Sequence, residues 1–206
     1  MNKLYMLFIP LIILAGCINL REPYPVINYY ELKQEPTLLK NLPVLEQTVM
    51  IRRVFVNETF DTPHFLISTP PNNVERLFYH RWISDVSTLA TDFVATRINQ
   101  SGLLKHGVLK SGSIALPEYI VEPHLIEMTT YNDDSPQTRE YYVQIEFKVD
   151  YLKRLNDNKL ELFFSSNYKQ KFVRRKYETK FIAEAYSRVF SMAVDNIISD
   201  LSNIIK

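Results

Sequence analysis

The chain has 206 residues, with 24 Lys and Arg against 23 Asp and Glu, and 46% of its residues are hydrophobic. Nothing in the charge balance suggests a nucleic-acid partner, and the hydrophobic content is that of a globular chain and not a disordered one. A single cysteine, Cys17, excludes an intrachain disulfide, so the folded part must stand on its core alone.

The first element is a leader. Met1-Asn2-Lys3 is a short polar start with one positive charge, and Leu4 to Ala15 is an apolar run broken only by Pro10. That run matches a signal-peptide core and is well short of the ~20 apolar residues of a membrane-spanning helix. It ends Leu14-Ala15-Gly16-Cys17, which resembles the lipobox read by the bacterial lipoprotein peptidase: small residues enter a narrow cleavage site and the thiol that follows is acylated. Residues 1–16 are therefore expected to be a signal peptide and Cys17 the lipidated residue. Removing the leader also removes Lys3 and leaves 190 residues with 23 basic and 23 acidic groups, enough for one domain. The residue after Cys17 is Ile18, not Asp. That predicts sorting to the outer membrane, facing the periplasm.

Residues 17–26 read as a lipidated tether, kept extended by Pro23 and Pro25. Nine residues from Ile18 to Val26 reach only about 30 Å, so the domain at 27–206 is expected to sit close to its membrane. Ile27 to Lys33 reads as the first strand from its aromatic and β-branched content, and Gln34 to Gln47 as a loop. A second strand is expected from Thr48 to Asn57, with Val49, Ile51, Val54 and Val56 as its apolar residues. Asn57-Glu58-Thr59 reads as a turn. A short strand from His64 to Ser68 precedes a Pro70-Pro71-Asn72-Asn73 turn.

From Arg81 to Gln100 the period becomes helical. Trp82, Val86, Leu89, Ala90, Phe93, Val94 and Ile98 recur every three or four residues, and Ser101-Gly102 closes the helix. An antiparallel meander follows: Tyr119 to Met128, a loop from Thr129 to Thr138, Glu140 to Tyr151, a turn at Asn156-Asp157-Asn158, and Lys159 to Phe172. In the middle strand Tyr141, Val143, Ile145, Phe147, Val149 and Tyr151 alternate with polar residues, predicting one buried and one wet face. A long helix from Thr179 to Ile205 carries Ile182, Ala185, Val189, Ala193, Ile197, Leu201 and Ile204 as its apolar stripe. The order predicts an α/β (α+β) fold: one mixed β-sheet with two long helices packed on it.

Catalytic signals are weak. No glycine precedes a Gly-Lys-Ser/Thr run and no nucleophile elbow is present. His64, His80, His106 and His124 lack metal-ligand spacing, so no cofactor and no metal are expected. Asp133 and Asp134 could hold a cation in principle but fit a hairpin loop better. The one charged run is Lys169, Lys171, Arg174, Arg175 and Lys176. It is a candidate patch for lipid head groups or an acidic partner, weighed against a solvated strand end.

The order of elements resembles the ABC-type transport auxiliary lipoprotein family, the accessory lipoproteins of MCE-type lipid transport systems. The likeness rests on the lipobox, the short tether, Tyr29-Tyr30-x-Leu32, the strand with Ile51 and Val54 to Val56, Leu77-Phe78-Tyr79 before Trp82, and the final strands and helix. It implies a fold like the anticodon-binding and TolB N-terminal domains and no enzymatic activity. It also implies a membrane-anchored periplasmic subunit that meets an MCE-domain protein and an ABC transporter complex, and it allows a homo-oligomer. Two other roles share the leader: an outer-membrane assembly lipoprotein that partners a β-barrel, and a periplasmic lipid carrier.

Overall fold

A computed structural model describes residues 24–37, 39–174 and 178–205. The expected signal peptide, Cys17 and most of the expected tether lie outside the described residues, as do Arg175 and Lys176. Among these residues nine strands and two helices follow in the order β1 (Asn28–Tyr30), β2 (Val49–Ile51), β3 (Phe55–Val56), β4 (His64–Thr69), β5 (Asn73–Trp82), α1 (Val86–Gln100), β6 (Val108–Lys110), β7 (Tyr119–Asp133), β8 (Glu140–Arg154), β9 (Leu160–Val173) and α2 (Lys180–Ile204), all within the described residues.

The long meander is the spine. β8 pairs antiparallel with β7 along its whole length and with β9 on its other edge. The free edge of β7 is shared among three short parallel partners: β2 at Tyr119 to Val121, β3 at His124 and Leu125, and β4 at Thr130 and Tyr131. Beyond β4 lie β5 and then β1, and beyond β2 lies β6. The result is the mixed sheet with two packed helices that the alternation and the two apolar stripes predict.

The expected strand from Thr48 to Asn57 is two strands, and Pro123 explains where it breaks. The carbonyls of Val121 and Leu125 accept from Arg52 and Asn57, so the odd residues of β7 address this edge. Pro123 shares that parity and has no N–H to offer. The facing stretch leaves the ladder there: the Val54 N–H donates instead to the Thr91 hydroxyl at 2.8 Å, and Arg52 reaches Glu122 at 2.5 Å.

The first helix starts later than its apolar spacing suggests. Trp82 is the last residue of β5, buried against Phe65 and Tyr186 at 4.5 and 5.6 Å between ring centroids. Asp85 is the N-cap, accepting from the Thr88 N–H at 2.7 Å. Gly102 stands at the other end with φ of 70°, a conformation glycine adopts without strain. β5 and β6 carry no alternation that announces them, and β7 runs five residues past Met128 into the expected loop.

The core lies between the sheet and the helices. Val143, Ile145, Phe147, Val149 and Tyr151 of β8 are buried, as are Ile182, Ala185, Val189, Ala193, Ile197 and Leu201 of α2. Phe190 joins the layers, with Phe93 of α1 at 5.6 Å and Phe147 of β8 at 5.5 Å, both edge to face. Each of the larger aliphatic and phenylalanine side chains among these contributes about 1.5–3 kcal/mol by leaving water.

Candidate functional site

The groups with chemical potential are engaged in bracing the fold. Tyr151 and Tyr168, on adjacent strands, share a hydrogen bond of 2.6 Å, and Tyr168 donates to Asp200 of α2 at 2.6 Å. Burial pushes both phenols above their ordinary range, so they stay protonated. The chain ties β8 and β9 to α2. Asp133 accepts from the Thr138 hydroxyl and from the Ser135 N–H at 2.9 Å, and these bonds, the Thr138 hydroxyl first, hold its carboxyl below the usual range. Asp134 accepts from the Tyr141 hydroxyl. Both carboxylates thus close the β7–β8 loop.

The histidines are scattered. Tyr30 and His80 meet at 3.0 Å between the phenol oxygen and Nδ1. His64 lies 3.3 Å from the Leu77 carbonyl and edge-on to Phe78. His124 packs on Phe55, and His106 is exposed. Among the described residues no three His, Cys, Asp or Glu side chains converge on a point where a metal could sit.

The basic run does not present its described members together. Lys169 sits on the open face of the sheet between Glu127 at 3.1 Å and Glu146 at 3.4 Å. Burial alone would raise the Glu127 carboxyl. The hydrogen bonds from Lys169 and Gln144 and the lysine charge outweigh it and hold the group low. Lys171 pairs with Glu140 at 2.7 Å and lies over the Tyr142 ring at 3.6 Å from its centroid. Arg174 is buried, donating to Asn132 and to the Tyr131 carbonyl. Cross-strand carboxylates thus answer two of the charges, and the third is inside.

Two features remain that can meet another molecule. The first comprises open grooves. One of about 510 Å³ runs between the end of β9 and the start of α2, lined by Phe172, Arg174, Phe181 and Arg188. Another of about 370 Å³ runs between β1 and α2, lined by Tyr29, Tyr30, Ile83, Lys180 and Ala183. The second is exposed apolar surface, of which two stretches hold several such side chains each. At the β8–β9 hairpin, Leu155, Leu160, Leu162 and Phe163 stand exposed, with Leu116 beside them because Arg154 binds the Pro117 carbonyl at 2.9 Å. At the margin where the chain enters the fold, Val26, Tyr29, Phe78, Tyr79 and Ile83 are each at least half exposed. Exposed apolar side chains gathered at one end or edge of a sheet are candidates for interaction. Sequence reasoning did not single out either patch, because exposure on β5 and β9 follows from the sheet order. No helix among the described residues is long and apolar enough to cross a membrane.

No protein-family model and no curated protein matches the sequence. Solved structures do match in fold. The protein XCC0632 from Xanthomonas campestris, of the DUF330 family, is similar with a TM-score of 0.71 at 13% identity, over 85% of this chain and 96% of that one. An uncharacterized protein follows with a TM-score of 0.58 at 10% identity, over 85% and 99% of the two chains. The hypothetical protein CT253 from Chlamydia trachomatis gives 0.50 at 11% identity, over 78% and 98%. At such identities the shared property is the fold.

Proposed function

We propose that this chain is a lipoprotein of the bacterial envelope that works by binding protein, as an auxiliary subunit of an ABC transporter with an MCE-type lipid channel. The observation that carries the reading is Leu14-Ala15-Gly16-Cys17, placed seven residues ahead of Tyr24, where the described fold begins. A leader of that form puts a lipid on Cys17 and hands the domain to a membrane. Diacylglycerol with a further acyl chain provides the two or more hydrophobic signals that stable anchoring needs. Ile18 in place of Asp directs it to the outer membrane, facing the periplasm.

The apolar end formed by Leu116, Leu162 and Phe163 is the docking surface on this reading. Exposed apolar and aromatic side chains at one hairpin supply the kind of residue that the buried centre of a protein interface is built from. No catalytic step is assigned to the domain: its polar groups of interest, Tyr151, Tyr168 and Asp133, are used in internal hydrogen bonds.

The test is purification of the full-length protein from detergent-solubilised membranes of its own cells, beside the Cys17→Ala and Leu162→Asp variants. The expected result is co-purification of MCE and ABC-transporter subunits with the wild type, loss of membrane association for Cys17→Ala, and loss of the partners alone for Leu162→Asp. Recovery of a β-barrel protein without either transporter subunit would assign the chain to outer-membrane assembly instead. Stoichiometric lipid in the purified protein would make it a carrier.

A further inference from the structure

The aromatic margin around β1 and β5 has a position that the rest of the surface lacks. β1 lies at one edge of the sheet, outside β5, with Tyr29 opposite Arg81. Tyr29 is 60% exposed, Phe78 60%, Tyr79 50% and Ile83 63%. Tyr24 and Val26, immediately before β1, stand almost free of the domain. The chain therefore enters the fold beside exposed tyrosine, phenylalanine and isoleucine side chains of β1, β5 and the turn that follows β5.

We propose that this margin rests in the interfacial layer of the bilayer that holds the anchor, with Tyr29, Phe78, Tyr79 and Ile83 as the inserted side chains. The proposal rests on Cys17 being lipidated. From Cys17 to Tyr24 the chain can span at most about 25 Å, whereas a domain of this size is about 40 Å across. The tether is shorter than the domain it holds, so the surface around Tyr24 is the part kept nearest the membrane. That surface has the composition membrane interfaces favour. Aromatic rings with one polar edge sit at the level of the head groups, with the apolar body inward and the hydroxyl in water. Arg81 is on the same strand as Phe78 and Tyr79, its Nε donating to the Phe78 carbonyl at 2.9 Å, which leaves its charge at the rim of the cluster. The apolar hairpin end at Leu162 has no such link to the anchor, and the same lipid contact is not assigned to it.

The experiment uses the full-length lipidated protein in phosphatidylethanolamine–phosphatidylglycerol vesicles whose acyl chains carry bromine, which quenches tryptophan at close range. The native Trp82 is 2% exposed and gives a constant background. Tyr29→Trp and Tyr79→Trp are compared with Leu162→Trp and Met192→Trp, placed at exposed positions on β9 and α2. The expected result is a blue-shifted emission and strong quenching for positions 29 and 79, and neither for 162 and 192. Partition of each variant into the detergent phase of a phase separation reads the anchor independently. Detergent-phase protein with no quenching at positions 29 and 79, or with equal quenching at all four, overturns the membrane contact and leaves the anchor standing. Wild-type protein that stays in the aqueous phase overturns the anchor, and the contact with it.

Discussion

Replacing Asp195 with alanine is expected to be among the most damaging single changes in the domain outside its apolar core. Arg97 projects from α1 with its side chain 4% exposed, and Asp195 of α2 meets it with 15% exposure. The contact is two-pronged: Nε to Oδ1 at 2.6 Å and Nη2 to Oδ2 at 2.8 Å. Nη1 donates to the Glu35 carbonyl at 2.7 Å and to the Gln34 side chain at 3.3 Å. One guanidinium thus joins both helices to the strap that follows β1. Removing the carboxylate strands a buried positive charge, which costs about 3–5 kcal/mol. The two surviving bonds to the strap place the loss near the lower figure, about 3 kcal/mol. With an unfolding slope of about 2 kcal/mol per molar urea, the midpoint should fall by about 1.5 M. The double variant Arg97→Met/Asp195→Leu should recover most of that loss, because no charge is then left buried. Urea unfolding followed by circular dichroism reads all of these. A loss below about 1 kcal/mol for Asp195→Ala, or a double variant no better than the single one, would refute the reasoning.

Three further outcomes follow from the geometry. Phe147→Ala removes the ring that Phe190 meets edge-on at 5.5 Å in the fully buried layer, and thermal unfolding should show a loss of about 3–5 kcal/mol. Tyr186→Phe leaves the buried Thr130 hydroxyl without its 2.9 Å partner, for about 1–3 kcal/mol and no change in fold by circular dichroism. Glu127 has a folded pKa below its unfolded value of about 4.3. The stability it contributes is therefore complete above that pH and is lost as pH falls through the folded value. Glu127→Gln should therefore lower stability slightly at neutral pH and converge with the wild type in acid, which flattens the acid limb of a stability-against-pH curve; the loss is small because Lys169 is exposed.

The parts of the fold that could be read in the sequence are those whose pattern is set by one large partner. β8 is covered on one face by α2 and open on the other, so its alternation from Tyr141 to Tyr151 is unbroken. α2 lies on the sheet along its length, and every residue of its predicted stripe up to Leu201 is buried. β5 has no such partner over most of its length. From Asn73 to Arg76 both of its faces are exposed, and it is a strand because β4 folds back on it. Trp82 misled the helix boundary because it lies four residues before Val86 while belonging to a strand. Both residues are buried, so the spacing looked helical across a change of element. The burial of Arg97 has no local signal, since the carboxylate that justifies it lies 98 residues on. The basic run fails in the same way: a sequence counts its lysines but does not show Glu127, Glu146 and Glu140 on the neighbouring strands.

The sheet order bears on how one small domain could meet a membrane and a protein together. The path from β1 to β9 runs through β5, β4, β7 and β8, five strand spacings of about 4.8 Å, or about 24 Å. Tyr29 and Leu162 are therefore on opposite margins of the sheet. A partner seated on Leu162 and Phe163 does not compete with a bilayer against Tyr29 and Tyr79. Between them stands β7, whose 14 paired positions with β8 make the centre of the sheet its most rigid part. Tension applied at the tether reaches β1 and β5 first, and the short β1 ladder of three residue pairs should open before the meander does. The two surfaces are thus separable: Leu162→Asp should abolish partner recovery without altering quenching at position 79, and Tyr79→Ser should leave partner recovery intact. A variant at one margin that changed the readout of the other would mean that the two surfaces are coupled through the sheet.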